Sequence, residues 1–162
     1  MNAPIFPIVV PLITAIVLVL APQRGRLQRW ISFGGALGLV AAAIFLFVRV
    51  LRHDIVVLQA GGWPAPFGIT LVADVLASMF VIATALVAVA VTGSAFAGVD
   101  PRRESAGYHA FIHVLLMGVC GAFLTGDVFN LYVWFEVMLV ASFVLMALHR
   151  TNVQIEAAFK YV

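Results

Sequence analysis

Residues Val128 to Leu148 read VFNLYVWFEVMLVASFVLMAL, a stretch whose one charged side chain is Glu136. A helix needs roughly 20 mostly apolar residues to cross a bilayer, so this run is predicted to be a membrane span. Four similar runs precede it, at about Pro4 to Ala21, Trp30 to Leu51, Ile69 to Ala97 and Tyr108 to Leu124. A further run is expected to begin at Ala157. The fold class expected is all-α. It is a polytopic transmembrane helix bundle of five spans plus the start of a sixth, in a single membrane domain over residues 1–162.

Composition supports that reading. The 162-residue chain is 64% hydrophobic and 10% charged, with a mean hydropathy of +1.14. A soluble domain is ~45–50% apolar and ~25% charged. So much apolar surface cannot be hidden in a soluble domain of this size, so the solvent must be lipid. A soluble enzyme, a nucleic-acid-binding domain and a disordered chain are excluded together. The lone cysteine, Cys120, gives neither a disulfide framework nor a thiolate metal cluster. The glycines lie inside spans, without the strand and helix context of a phosphate-binding loop.

Charge placement sets the expected orientation. Met1-Asn2-Ala3 carries no side-chain cation, unlike the start of a signal peptide. Arg24, Arg26 and Arg29 follow the first run instead, which puts the amino terminus outside and the first loop in the cytoplasm. Five crossings then place Arg102, Arg103, Arg150 and Lys160 inside and leave Arg49 and Arg52 outside. In the second loop, Ile55-Val56-Val57-Leu58 followed by Gly61-Gly62 reads as a small external strand and turn. Trp63 and Phe67 there suit a membrane–water boundary. Thr125-Gly126-Asp127 is so tight a link that the runs it joins must be antiparallel neighbours. Gly34, Gly38 and Ala42, and likewise Gly118 and Ala122, recur every four residues as expected of close helix packing.

Depth separates the ionisable residues. A charge in hydrocarbon costs at least ~2.5–3.5 kcal/mol, which marks a deep ionisable group as a functional candidate. Nearly all the charged residues fall at or near run ends. Glu136 does not: it is eight residues from Val128 and twelve from Leu148. Desolvation raises a carboxyl pKa and a nearby cation lowers it, so a carboxyl held between the two can load and release a proton near neutral pH. Its helical face carries Phe129, Tyr132, Val133, Val140 and Phe143, with the Tyr132 phenol as an available hydrogen-bond donor. The alternative is a structural glutamate paired across helices.

The other candidates are Asp74, His109 and His113. Asp74 is placed about one turn into the third run, with Ser78 one turn further along; it is either an outer-side proton or cation site or a helix-start carboxylate. His109 and His113 are four residues apart, but two imidazoles without a carboxylate or thiolate do not make a zinc site. His113 is read as a proton-relay member or a packing histidine, and His109, nearer the interface, as a relay, packing or solvated residue. Asp127 with Asn130 looks like a loop and helix-start pair. Lys160 either snorkels to the interface or reaches inward. No metal and no cofactor is expected.

The stretch TGDVFNLYVWFEVMLVASFVLMAL, from Thr125 to Leu148, resembles the fifth transmembrane helix of the antiporter-like subunits. That family is shared by Mrp-type sodium/proton antiporters and the membrane arm of respiratory complex I. GGWPAPFGITLVADVLASMF, from Gly61 to Phe80, resembles the D-type subunits of Mrp antiporters in particular, and QIEAAFKYV resembles the family's lead into its sixth helix. The resemblance implies that Glu136 is a central proton-translocating residue, that Lys160 matches the lysine of a KY pair, and that Asp74 matches the acidic residue opening the third helix. Family members have about fourteen helices in two inverted five-helix repeats, with a lysine in the seventh helix as the glutamate's partner. The chain is therefore expected to be the amino-terminal part of a larger subunit.

The function expected is proton translocation in a multi-subunit Na+/H+ antiporter of a bacterial or archaeal cell membrane, not an enzymatic reaction. Its partners are other antiporter subunits, protons, Na+ or another monovalent cation, and lipid. The alternative is a proton-pumping subunit of a redox complex, such as an NADH:quinone oxidoreductase or a membrane-bound hydrogenase.

Overall fold

The computed structural model describes residues 3–63 and 67–148. Six helices, α1 Phe6–Leu20, α2 Gly25–His53, α3 Val75–Ser94, α4 Pro101–Ser105, α5 Tyr108–Leu124 and α6 Val128–Ala147, surround one apolar core. A two-stranded antiparallel hairpin of β1 Val56–Gln59 and β2 Thr70–Ala73 sits between α2 and α3. Helices dominate because lipid offers backbone N–H and C=O groups no water, so they must be satisfied within the segment.

Four helical stretches are long and apolar enough to cross a membrane: Ala3–Leu20, Gly25–His53, Val75–Ala97 and Val128–Ala147. Tyr108–Leu124 is a shorter apolar helix of 17 residues. α1 packs on α2 and α5, α2 on α3, α3 on α5, and α5 on α6. The run expected from Ala157 lies outside the described residues.

Two boundaries differ from the hydropathy reading. α2 begins at Gly25 rather than Trp30, because a helix continues past its lipid-facing core and carries Arg26 and Arg29 on its first turns. At 29 residues it is about 43 Å long, more than the hydrocarbon requires. The third run begins as a helix at Val75, not Ile69. Thr70 to Ala73 alternate in burial, with Leu71 and Ala73 inward, and pair with β1 from Val56↔Ala73 to Gln59↔Thr70. Asp74 then caps α3, its Oδ1 accepting from Ala77 N at 2.7 Å.

The external strand expected at Ile55 to Leu58 is thus one half of a hairpin, with Gly61 and Gly62 at φ 67° and 75° in its turn. β2 also grips the next link. Leu71 bridges to Thr125, and Gly126 N donates to Thr70 O at 2.9 Å. Asp127 caps α6 through Phe129 N at 2.9 Å, while Asn130 Nδ2 donates to Thr125 Oγ1 at 2.8 Å, so the helix-start pair forms. At the opposite end Gln28, 3% exposed, donates to Leu18 O at 2.9 Å and satisfies a terminal carbonyl of α1.

Small residues set the helix spacing, though not all of those expected. Gly34 has nothing near it; Gly35, against Thr14, and Gly38, against Val10, form the α2 surface that meets α1. On α5, Gly118 faces Met138 and Trp134, and Gly121, rather than Ala122, lies flat against the Trp134 ring. A Gly121→Val substitution should force α5 and α6 apart at a cost of about 1–3 kcal/mol. It is expected to lower the thermal midpoint of the detergent-solubilised protein, while Gly34→Ala, which meets open space inside α2, holds or raises that midpoint.

Candidate functional site

Glu136 sits midway along α6 on an exposed face, with Phe129, Tyr132, Val133 and Val140 exposed around it. The Tyr132 phenol and the Glu136 carboxyl group interact one helical turn apart. Ion pairs formed among the described residues do not include Glu136. The side of α6 that meets α5 is formed by Trp134, Met138 and Ala141. The cation and the water-filled path that a translocating carboxyl requires are therefore not supplied by the described helices. Lys160 lies outside the described residues.

Asp74 lies at the hairpin end of the bundle, exposed, and engaged in the α3 cap rather than one turn inside a helix. The structure does not bring it to the histidines.

A second constellation lies at the other end, where α1 finishes and α2 and α5 start. Arg29 forms a two-pronged ion pair with Glu104, Nε to Oε1 at 2.6 Å and Nη2 to Oε2 at 3.0 Å. His109 Nε2 is 3.2 Å from the same Oε1. Glu104 is 6% exposed and His109 1%, so His109 is not solvated at the interface; it is a buried partner of a buried carboxylate. One turn on, His113 is fully buried, its Nε2 3.1 Å from both Ser32 Oγ and the Ser32 carbonyl oxygen. Gly25 explains how Glu104 fits: a Cβ there would lie 2.5 Å from Glu104 Oε2. Asp100 starts α4, accepting from Arg102 N at 2.9 Å, and so delivers Glu104 inward.

The Arg29 guanidinium holds the Glu104 carboxyl below the usual carboxylate range; burial opposes this, and His109 reinforces it. Position along the chain puts Glu104 among the run-end charges and hides this role. Its chief partner is 75 residues away, and no local spacing announces such a pair.

The histidines and Glu136 are not assembled into one site. Gly118 of α5 meets the α6 backbone between Trp134 and Met138, which puts Glu136 level with it. His113 is five residues nearer the arginine end, about 7 Å along the axis, and His109 about 13 Å. His113 faces α2, whereas Glu136 points away from the bundle.

No family model matches the chain. It is 45% identical over 161 residues to the D subunit of the Na(+)/H(+) antiporter of Alkalihalophilus pseudofirmus, covering 99% of this chain and 33% of the relative. It is 41% identical over 162 residues to the protein of the same name in Bacillus subtilis, again 99% and 33%. The chain thus spans about a third of the length of the curated relatives it matches. Its fold is similar to a chain of the Mrp complex from Dietzia sp., with TM-score 0.82 and 28% identity over 99% of this chain and 30% of that one. It is also similar to a chain of the membrane-bound sulfane sulfur reductase, an archaeal respiratory membrane complex, with TM-score 0.87 and 27% identity over 99% and 33%.

Because the folded pKa of Glu104 is depressed, its stabilising contribution is complete above the ordinary carboxylate pKa and drains away as pH falls through the folded value. The thermal midpoint is therefore expected to drop on acidification below that ordinary value. A Glu104→Gln protein should start from a lower midpoint at neutral pH and lose less on acidification, measured by differential scanning in detergent.

Proposed function

We propose, from kinship along 99% of the chain to the D subunits of Na(+)/H(+) antiporters, that this is a proton-translocating membrane part of a multi-subunit monovalent cation/proton antiporter. It acts as a transporter component rather than an enzyme, in a bacterial or archaeal cell membrane. The observation that carries this reading is Glu136, the charged residue set midway along an apolar helix. Further helices of a longer subunit cover its exposed face and bring the cation that the described residues do not pair with it. Proton flow inward through this carboxyl then drives Na+ outward.

In this reading α5 is a fifth span, since it packs between α1, α3 and α6. The amino terminus is outside, an orientation supported by Arg24, Arg26, Arg29, Arg102 and Arg103 lying at one end of the bundle. His113 serves as a relay on the inner half, Asp74 as an outer-side carboxylate, and Lys160 continues the path towards the sixth helix. Tyr132 steadies the Glu136 carboxyl group.

A second reading, a proton-pumping subunit of a redox complex, is favoured by the likeness to the sulfane sulfur reductase chain. The two differ in what drives the proton. An antiporter exchanges Na+ for H+ across a vesicle with no electron donor added; a redox pump does not.

Glu136→Gln in the complete assembly is expected to abolish Na+/H+ exchange in inverted vesicles while the complex still assembles, because an amide cannot carry the proton. Retained exchange at the unsubstituted rate rejects the role given to Glu136.

A further inference from the structure

Five polar groups from three helices form a column at the arginine end: Arg29 and Ser32 on α2, Glu104 on α4, and His109 and His113 on α5. The chemistry of their partners fixes where the hydrogens are. Glu104, bonded by two guanidinium N–H groups, is a carboxylate and can only accept, so His109 Nε2 donates to it. The Ser32 carbonyl also only accepts, so His113 Nε2 donates there. Each neutral ring is therefore left with a bare lone pair at Nδ1. Both Nδ1 atoms are buried, and neither meets a hydrogen-bonding group of the protein among the described residues. Buried polar atoms are normally satisfied, and two unsatisfied acceptors one helical turn apart mark a place built for something that donates.

We propose that Glu104, His109 and His113 form a proton-accepting station at the arginine end, with His109 Nδ1 as first acceptor and Glu104 as its positioning residue. The direction of flow rests on the antiporter reading; the proton binding does not. A hydronium ion gives up a proton to His109 Nδ1, its O–H bond breaking and a water molecule leaving, and the resulting imidazolium is stabilised by the Glu104 carboxylate on its other nitrogen. The new N–H bond then breaks as the proton passes through one water molecule to His113 Nδ1, and His109 returns to its neutral form. One proton moves and no electrons are exchanged. Arg29 keeps Glu104 ionised, so the carboxylate orients the ring without itself taking the proton.

The groups around the two rings are few. Arg29 comes from α2, Glu104 from α4, and the Tyr108 ring stands edge-on to His109 at 5.3 Å. α1, α3 and β2, which pack against α5, carry no titratable side chain. α6 carries Tyr132 and Glu136, both on its exposed face. Glu104 and Arg29 are thus the charged groups that act on the buried His109 ring.

The test uses the complete antiporter complex in vesicles. In His109→Gln and His113→Gln the amide nitrogen can reproduce the Nε2–H donor while the titratable Nδ1 is gone. A station predicts normal assembly, exchange lowered by at least about tenfold at alkaline pH, where protons are scarce, and a pH optimum moved to the acid side. Glu104→Gln should shift the optimum the same way. An unsubstituted rate and pH profile in both glutamine variants overturns the proposal. 15N NMR of His109 in the assembled complex gives a readout apart from transport. Protonation at Nδ1 between about pH 4 and 9 supports the station even in a complex that shows no antiport; a ring that never protonates there overturns it even if Glu136 proves essential.

Discussion

The two-pronged bond from Arg29 to Glu104 joins pieces of chain that lie 75 residues apart in sequence, and much of the arginine end depends on it. It neutralises a guanidinium and a carboxylate that would each be costly beside hydrocarbon. It fixes α4 against the first turn of α2, where Gly25 leaves room for the carboxylate. It also gives the buried His109 ring an acceptor, and so decides which of its nitrogens stays bare. Arg offers this geometry better than Lys, because its planar fork meets both carboxylate oxygens at once.

Most of the fold is legible in the sequence because lipid imposes a simple rule: a spanning helix must be long and apolar. The runs ending near Ala21, Leu51, Ala97, Leu124 and Leu148 all correspond to helices. The misplaced boundaries have different causes. Hydropathy reports where lipid begins, not where the helix does, so it leaves Arg26 and Arg29 out of α2. Thr70 to Ala73 are as apolar as the helix that follows, and only pairing with β1 makes them a strand. Apolar content cannot distinguish the two; the capping carboxylate of Asp74 marks the change.

The site is legible in part for a related reason. Glu136 stands out by depth, which sequence position supplies directly. Glu104 does not stand out, since a carboxylate near a run end is ordinary until its burial is known. The glycine faces show the same limit. Spacing alone picks Gly34 and Ala122, yet the tight contacts fall on Gly35 and Gly121, one position away on the helix surface. A four-residue repeat gives the period of a face, not which neighbouring helix will occupy it.

The two ionisable regions pose opposite physical problems. At the arginine end, the Arg29 and Glu104 charges answer each other within the chain, so that region can form and hold its tautomers with the residues described here. Along α6, Glu136 has a phenol beside it and no ion-pair partner among those residues. On the function proposed for the chain, translocation at Glu136 is then an assembled property, conferred by whatever meets the open face of α6. The proton acceptance proposed for His109 is an intrinsic one, because its partners lie within the described residues. The transport path proposed to join the two pairs a station that is already complete with a central carboxyl that becomes competent only when its neighbours arrive, and in that proposal the central step is the natural point of control.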